Sequence, residues 1–334
     1  MLPPTSPGDR DPWADDEPIV RSRRGVVADA WDDDPDPPPR RPPAGADTGE
    51  QPLVEVPVVP VRRLLSLAVA GFAALLTIGL IFGAQTAGPG LARLPYAVVV
   101  FGVQLFLILA WAMAMRPPAV AVVAGVCILV AAGADLAAVL PPVATMAPLG
   151  YVAAGGFVLA MLAQLVRRAD RIRVTESLGS TLVIVVGVVA FATLILLTRL
   201  RGGTQAITVC LAATGAALVI ARVVDAVAPW PRLAPQVPRG ALGVVVGAMA
   251  GTLVSAALGS FIYGFTPVNG AIVGVVSAGA AVLADLGAGY AEAGRELAGD
   301  PPTMWLARHM QGPLGGFALS APVAYATSVL VLGS

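Results

Sequence analysis

From residue 61 onward the chain alternates long apolar runs with short polar breaks. The runs are about 20 residues each, enough to cross a hydrocarbon core of roughly 30 Å as helix. They predict nine spans, at 64–84, 95–115, 118–140, 148–166, 178–198, 205–228, 240–264, 268–288 and 313–332. Prolines mark the breaks: Arg116-Pro-Pro, Leu140-Pro-Pro, Ala228-Pro-Trp-Pro and Asp300-Pro-Pro fall between apolar runs, where a residue without an N–H belongs. The expected fold is all-α, a polytopic membrane helix bundle preceded by a tail. Within span seven, Gly243, Gly247, Gly251, Ser255 and Gly259 recur every fourth position. One face of that helix is therefore nearly bare and predicts close backbone packing.

Residues 1–60 follow a different rule. They are rich in Pro, Asp and Arg, with too few branched apolar side chains to offset the entropy of ordering, and the expectation is a disordered cytoplasmic tail. The tail lacks a basic start followed by a short apolar stretch, so no cleaved signal is expected and the first span serves as the insertion signal. Two acidic segments echo each other around Trp13 and Trp31, either a docking peptide for a protein partner or a solvated acidic stretch. The remainder divides into a first group of helices over 61–170 and a second region over 171–334.

Composition agrees with a membrane protein: 57% of residues are hydrophobic and 13% charged, and mean hydropathy is +0.80. The zero net charge conceals a split. Residues 1–60 carry 13 acids against 6 arginines, and residues 61–334 carry 8 acids against 15 arginines. All 21 cations are arginine, which removes any chemistry that needs a lysine amine. Cys127 and Cys210 lie inside apolar runs and read as packing residues. Nothing calls for a nucleic-acid partner; the expected partners are membrane lipids.

With the N-terminus in the cytoplasm, cytoplasmic connections hold 11 arginines, including the Arg167–Arg173 cluster, and the opposite side holds Arg93, Arg199 and Arg201. This bias predicts a cell-membrane protein with its N-terminus inside and its C-terminus outside. Asp225 and Asp285 then end spans six and eight at one face. Two carboxylates meeting there suit a divalent ion, or they are interfacial acids neutralised by Arg222 or Arg295 or simply solvated. Arg222 precedes Asp225 by three positions and shares its helix face. Asp135, toward the other face in span three, is assigned local pairing only. Glu292 and Glu296, with Arg295 between them, read as a solvated or partner-facing surface. His309 is the lone histidine, in a segment whose glycines would let backbone N–H groups approach a phosphate.

Over residues 173–330 these features resemble the phosphatidate cytidylyltransferases, membrane enzymes that join CTP to phosphatidic acid. Ala284-Asp285-Leu286 stands where that family has G-D-L, Arg295 near its K-R, Asp300 near its K-D, and His309 at its histidine, followed by the closing helix "SAPVAYATSVLVL". Asp225 falls where the family keeps an aspartate on an earlier helix. The resemblance implies a nucleotide site with Asp285, Asp300 and His309 as catalytic candidates, Asp225 and Asp285 as Mg²⁺ ligands, and Arg239 and Arg295 as phosphate contacts.

The departures are large. The family's S-P-K-K-x-x-E-G becomes "VPRGALGV", and its D-R-x-D positions fall on Leu314, Gly315 and Phe317, with Leu314 and Phe317 in place of the metal-binding acids. Nucleotidyl transfer relies on metal ions to neutralise the triphosphate, and Arg239 does not replace a carboxylate ligand. The leading expectation is a catalytically degenerate relative that acts by lipid, ligand or partner binding. The alternatives are an active enzyme making a CDP-lipid at an altered site, and a small transporter or permease component.

Overall fold

In the computed structural model of the protein, the described residues are 58–117, 119–166, 174–300 and 303–332. The tail, with Trp13 and Trp31, and the Arg167–Arg173 cluster lie outside them. Nine helices are long and apolar enough to cross a membrane among the described residues. They are α1 (Arg63–Gln85), α2 (Leu94–Met115), α3 (Val120–Val139), α4 (Ala147–Val166), α5 (Val174–Leu197), α6 (Gly203–Val227), α7 (Ala241–Gly259), α8 (Pro267–Leu297) and α9 (Trp305–Leu332). The expected membrane helix bundle is the observed one. Exposed Leu75, Phe82, Leu129 and Leu253 on the outward faces are what a bundle in lipid presents.

Helix ends follow local chemistry. Pro267 opens α8, and the Thr266 hydroxyl before it accepts the Asn269 N–H at 3.2 Å. Arg116 closes α2 in the left-handed conformation ahead of two prolines. At the opposite end of the bundle Arg199 donates to the Ala138 carbonyl at 3.0 Å, covering a C-terminal carbonyl of α3.

Three departures matter for function. Helix α8 runs to Leu297, so at about 1.5 Å per residue it extends well past a ~30 Å core. Helix α9 begins at Trp305, so the stretch around His309 is helix, not a glycine-rich loop. Its glycines serve close approach instead: a Cβ on Gly312 would fall on Asp285 Oδ1, and one on Gly315 would meet Trp111 at 3.0 Å. The third departure is a small antiparallel hairpin, β1 (Arg232–Ala234) with β2 (Val237–Gly240), between α6 and α7. Val59, just before α1, is held to it by a bond from its N–H to the Pro235 carbonyl at 3.0 Å and one from Arg232 Nη1 to its own carbonyl at 2.7 Å.

The bare stripe on α7 is packed as expected. Gly243, Gly247, Gly251, Ser255 and Gly259 are its buried residues. A Cβ on Gly247 would sit 2.6 Å from the Ala217 carbonyl of α6, and one on Gly259 2.5 Å from the Thr266 carbonyl. Helices α6, α7 and α8 thus meet almost backbone to backbone.

Candidate functional site

Helix α6 ends in "ARVVDAV", α8 carries Asp285 before its polar extension, and β2 delivers Arg239 between them. Asp225 and Asp285 do converge, but with an arginine between them. Arg239 Nε lies 2.6 Å from Asp225 Oδ2, and its Nη1 pairs with Asp285 Oδ2. Arg222 Nη2 pairs with Asp285 Oδ1. The Gly240 N–H donates to Asp225 Oδ1 at 2.9 Å. All three of Asp225, Asp285 and Arg239 are buried. Burial alone would lower the Arg239 guanidinium, but Asp285 and then Asp225 outweigh it and hold it above the usual arginine value.

The expected i,i+3 pair of Arg222 with Asp225 is not formed. Arg222 reaches across to α8, and Asp225 takes Arg239 instead. Two cations and two anions cancel within one buried cluster. The cluster also touches α1, where the Ser66 hydroxyl donates to the Arg222 carbonyl at 2.7 Å, and α9, where Gly312 packs on Asp285. Only a residue without a side chain fits at Gly312.

The other sequence candidates lie around this cluster. Glu292 is buried and accepts Arg295 Nη2 and, at 2.9 Å, the Thr303 hydroxyl. Arg308 of α9 lies 2.5 Å from Glu296 and 3.8 Å from Glu292. Glu292, read from sequence as part of a solvated or partner-facing surface, is therefore an interior anchor between α8 and α9. His309 is half-buried, with Nδ1 2.6 Å from the Trp305 carbonyl and its ring 5.3 Å from the indole. Asp300 is exposed and borders a separate cavity of about 360 Å³ with Arg295, Glu176 and Arg116.

The donor set does not fit a catalytic Mg²⁺. A divalent ion asks for several free oxygens, and both carboxylates here already face guanidinium groups. No three His, Cys, Asp or Glu side chains gather into a metal-sized group among the described residues. Leu314 and Phe317, where the resemblance places ligating acids, are fully buried in the apolar core.

Beside the cluster lies a cleft of about 250 Å³ between the start of α1, β2 and the start of α9. Its charged walls are Arg62, Arg222 and Arg308, with no acid lining it among the described residues. Arg62 and Trp305 also border a more apolar groove of about 480 Å³, with Arg63, Leu64, Leu65 and Ala68. Sequence reading counted Arg62 for orientation only and gave Arg308 no site role. Their only signal was position at the start of a span. Comparison with protein-family models, curated proteins and solved structures found no match to this chain.

Proposed function

We propose that this membrane protein is a non-catalytic relative of the phosphatidate cytidylyltransferases that binds the phosphate headgroup of an anionic lipid. The observation that carries the reading is Arg239. It stands between Asp225 and Asp285, where the resemblance calls for a metal, and pairs with both, while Arg222 supplies the second positive charge. A side chain fixed by two buried ion pairs is structural, and with it the carboxylates lose the role of metal ligands.

The arginine cleft supports the binding half of the proposal. Arg62 suits a phosphate there, reinforced by Arg222 and Arg308, which also hold Asp285 and Glu296; guanidinium groups bind phosphate through paired N–H donors. The apolar groove continuous with it at Arg62 and Trp305 suits an acyl chain, and tryptophan with arginine is the usual furnishing of a membrane–water interface. In the proposed orientation, with the N-terminus inside, cleft and ion cluster lie at the cytoplasmic face of the cell membrane.

The test uses purified full-length protein. With labelled CTP, phosphatidic acid and Mg²⁺, no CDP-lipid should form above the protein-free background. Native mass spectrometry from mixed micelles should show phosphatidic acid retained several-fold over phosphatidylcholine, and Arg62→Glu should erase that preference. Metal-dependent CDP-lipid formation that disappears in Asp285→Asn would overturn the non-catalytic reading. Equal retention of the two lipids would overturn the binding reading.

A further inference from the structure

A second buried polar group lies far from the ion cluster, where α2, α3 and α5 meet. Asp135 of α3 is 6% exposed and Gln104 of α2 is fully buried. Gln104 Nε2 donates to Asp135 Oδ1 at 2.8 Å and to the Val188 carbonyl of α5 at 3.0 Å. Both amide hydrogens are thereby used. The amide orientation is fixed as well, because turning it would set Gln104 Oε1 against the Val188 carbonyl.

Two atoms are left over. Gln104 Oε1 and Asp135 Oδ2 are buried without a hydrogen-bond partner. Both are acceptors if Asp135 is ionised, and no cation pairs with Asp135 among the described residues. The titratable and charged groups on the neighbouring elements do not supply one. Helix α2 brings the Tyr96 hydroxyl, itself buried and unpartnered. Helix α4 brings Tyr151, which faces outward, and α5 carries Glu176 in its first turn, a dozen positions before Val188. On α3 itself, Cys127 is a buried free thiol. Arg199, beyond α5, is committed to the carbonyls of Ala138 and Pro142, and Arg93, before α2, turns toward the Gly90 carbonyl.

A bare carboxylate here would carry an uncompensated charge inside the bundle and direct a lone pair at no donor, both costly. One hydrogen removes both difficulties. A carboxylic acid has an O–H donor as well as acceptor capacity, and the acceptor left open on the adjoining side chain is Gln104 Oε1. Acid and amide then close a ring, with Nε2–H donating to Oδ1 and Oδ2–H donating to Oε1.

We infer that Asp135 is a proton-binding site within the membrane, occupied at neutral pH, with its hydrogen on Oδ2 donated to Gln104 Oε1. The proton is taken from water and returned to it; no other bond is made or broken. Its loss would leave the α2–α3 contact with one hydrogen bond, a net charge and two buried acceptors without donors. The pair is thus a proton-dependent clamp between these helices. It stands independently of the lipid-binding reading, because neither residue borders the arginine cleft.

Infrared spectroscopy of the full-length protein in liposomes reads the proton directly. Protein labelled with ¹³C at the aspartate side-chain carboxyl should show, at neutral pH, a protonated-acid C=O band. That band should move down with the label and again in D₂O. It should vanish in Asp135→Asn and persist in Asp300→Asn. Absence of a label-sensitive acid band in the wild-type protein would overturn the inference, as would a band undiminished in Asp135→Asn. If Asp135→Asn does not fold, Gln104→Ala decides. Loss of the Oδ2–H···Oε1 bond should raise the frequency of the band, and an unmoved band would overturn the assignment.

Discussion

Arg239 ties three elements of this structure together. It joins β2 to both α6 and α8, and removing it leaves two carboxylates buried with a single cation between them. Breaking one member of a buried ion network typically costs about 3–5 kcal/mol. Arg239→Ala should therefore lower the thermal midpoint of the purified protein strongly. Arg239→Lys should rescue only part of the loss, because an ammonium does not span two carboxylates as a planar fork does. Arg239→Ala combined with Asp225→Asn should recover stability relative to Arg239→Ala alone, since one of the stranded charges is gone. A melt of the double variant no higher than the single would refute the pairing. From sequence, Asp225 and Asp285 were legible as the important acids, because charge is conspicuous in an apolar run. Their partners were not. The i,i+3 rule favoured Arg222 with Asp225, and only the hairpin, whose two short strands give no periodic signal, brings Arg239 between the two helices.

At the scale of elements, the spans were legible almost to their ends, because hydrophobic length is a strong and local signal. The errors fall where helices leave the apolar core. The polar ends of α8 and α9 fall outside the expected spans, yet they are helical, with Glu292, Arg295, Thr303 and Arg308 satisfying one another. The small-residue stripe of α7 was legible for the opposite reason, since its periodicity of four is itself the packing signal. It sets up a sharp contrast within one helix. A Cβ on Gly251 would meet the Ala278 Cβ at 2.7 Å and would also press on the Ala213 carbonyl, whereas Leu253 points outward and is 66% exposed. Gly251→Leu should collapse the yield of folded protein in detergent, measured by size-exclusion chromatography. Leu253→Ala should leave it near the wild-type level. Equal tolerance at the two positions would mean that α7 does not pack on α6 and α8 through this face.

For the whole molecule, arginine placement predicts orientation. A cysteine placed at Arg232, in the hairpin, should react with a membrane-impermeant maleimide only after cells are opened, while one placed at Arg201, at the opposite end, should react in intact cells. The reverse pattern would invert the protein and move the arginine cleft to the outer face. Arg239 also has a consequence for biosynthesis. Asp225 and Arg239 both precede Asp285 in the chain, so the cluster stays incomplete until α8 is made. Until α8 arrives, the growing chain holds a charge that the finished protein hides. Chains that stop short of α8 therefore leave Arg222 without Asp285, a cation that only the finished bundle pairs.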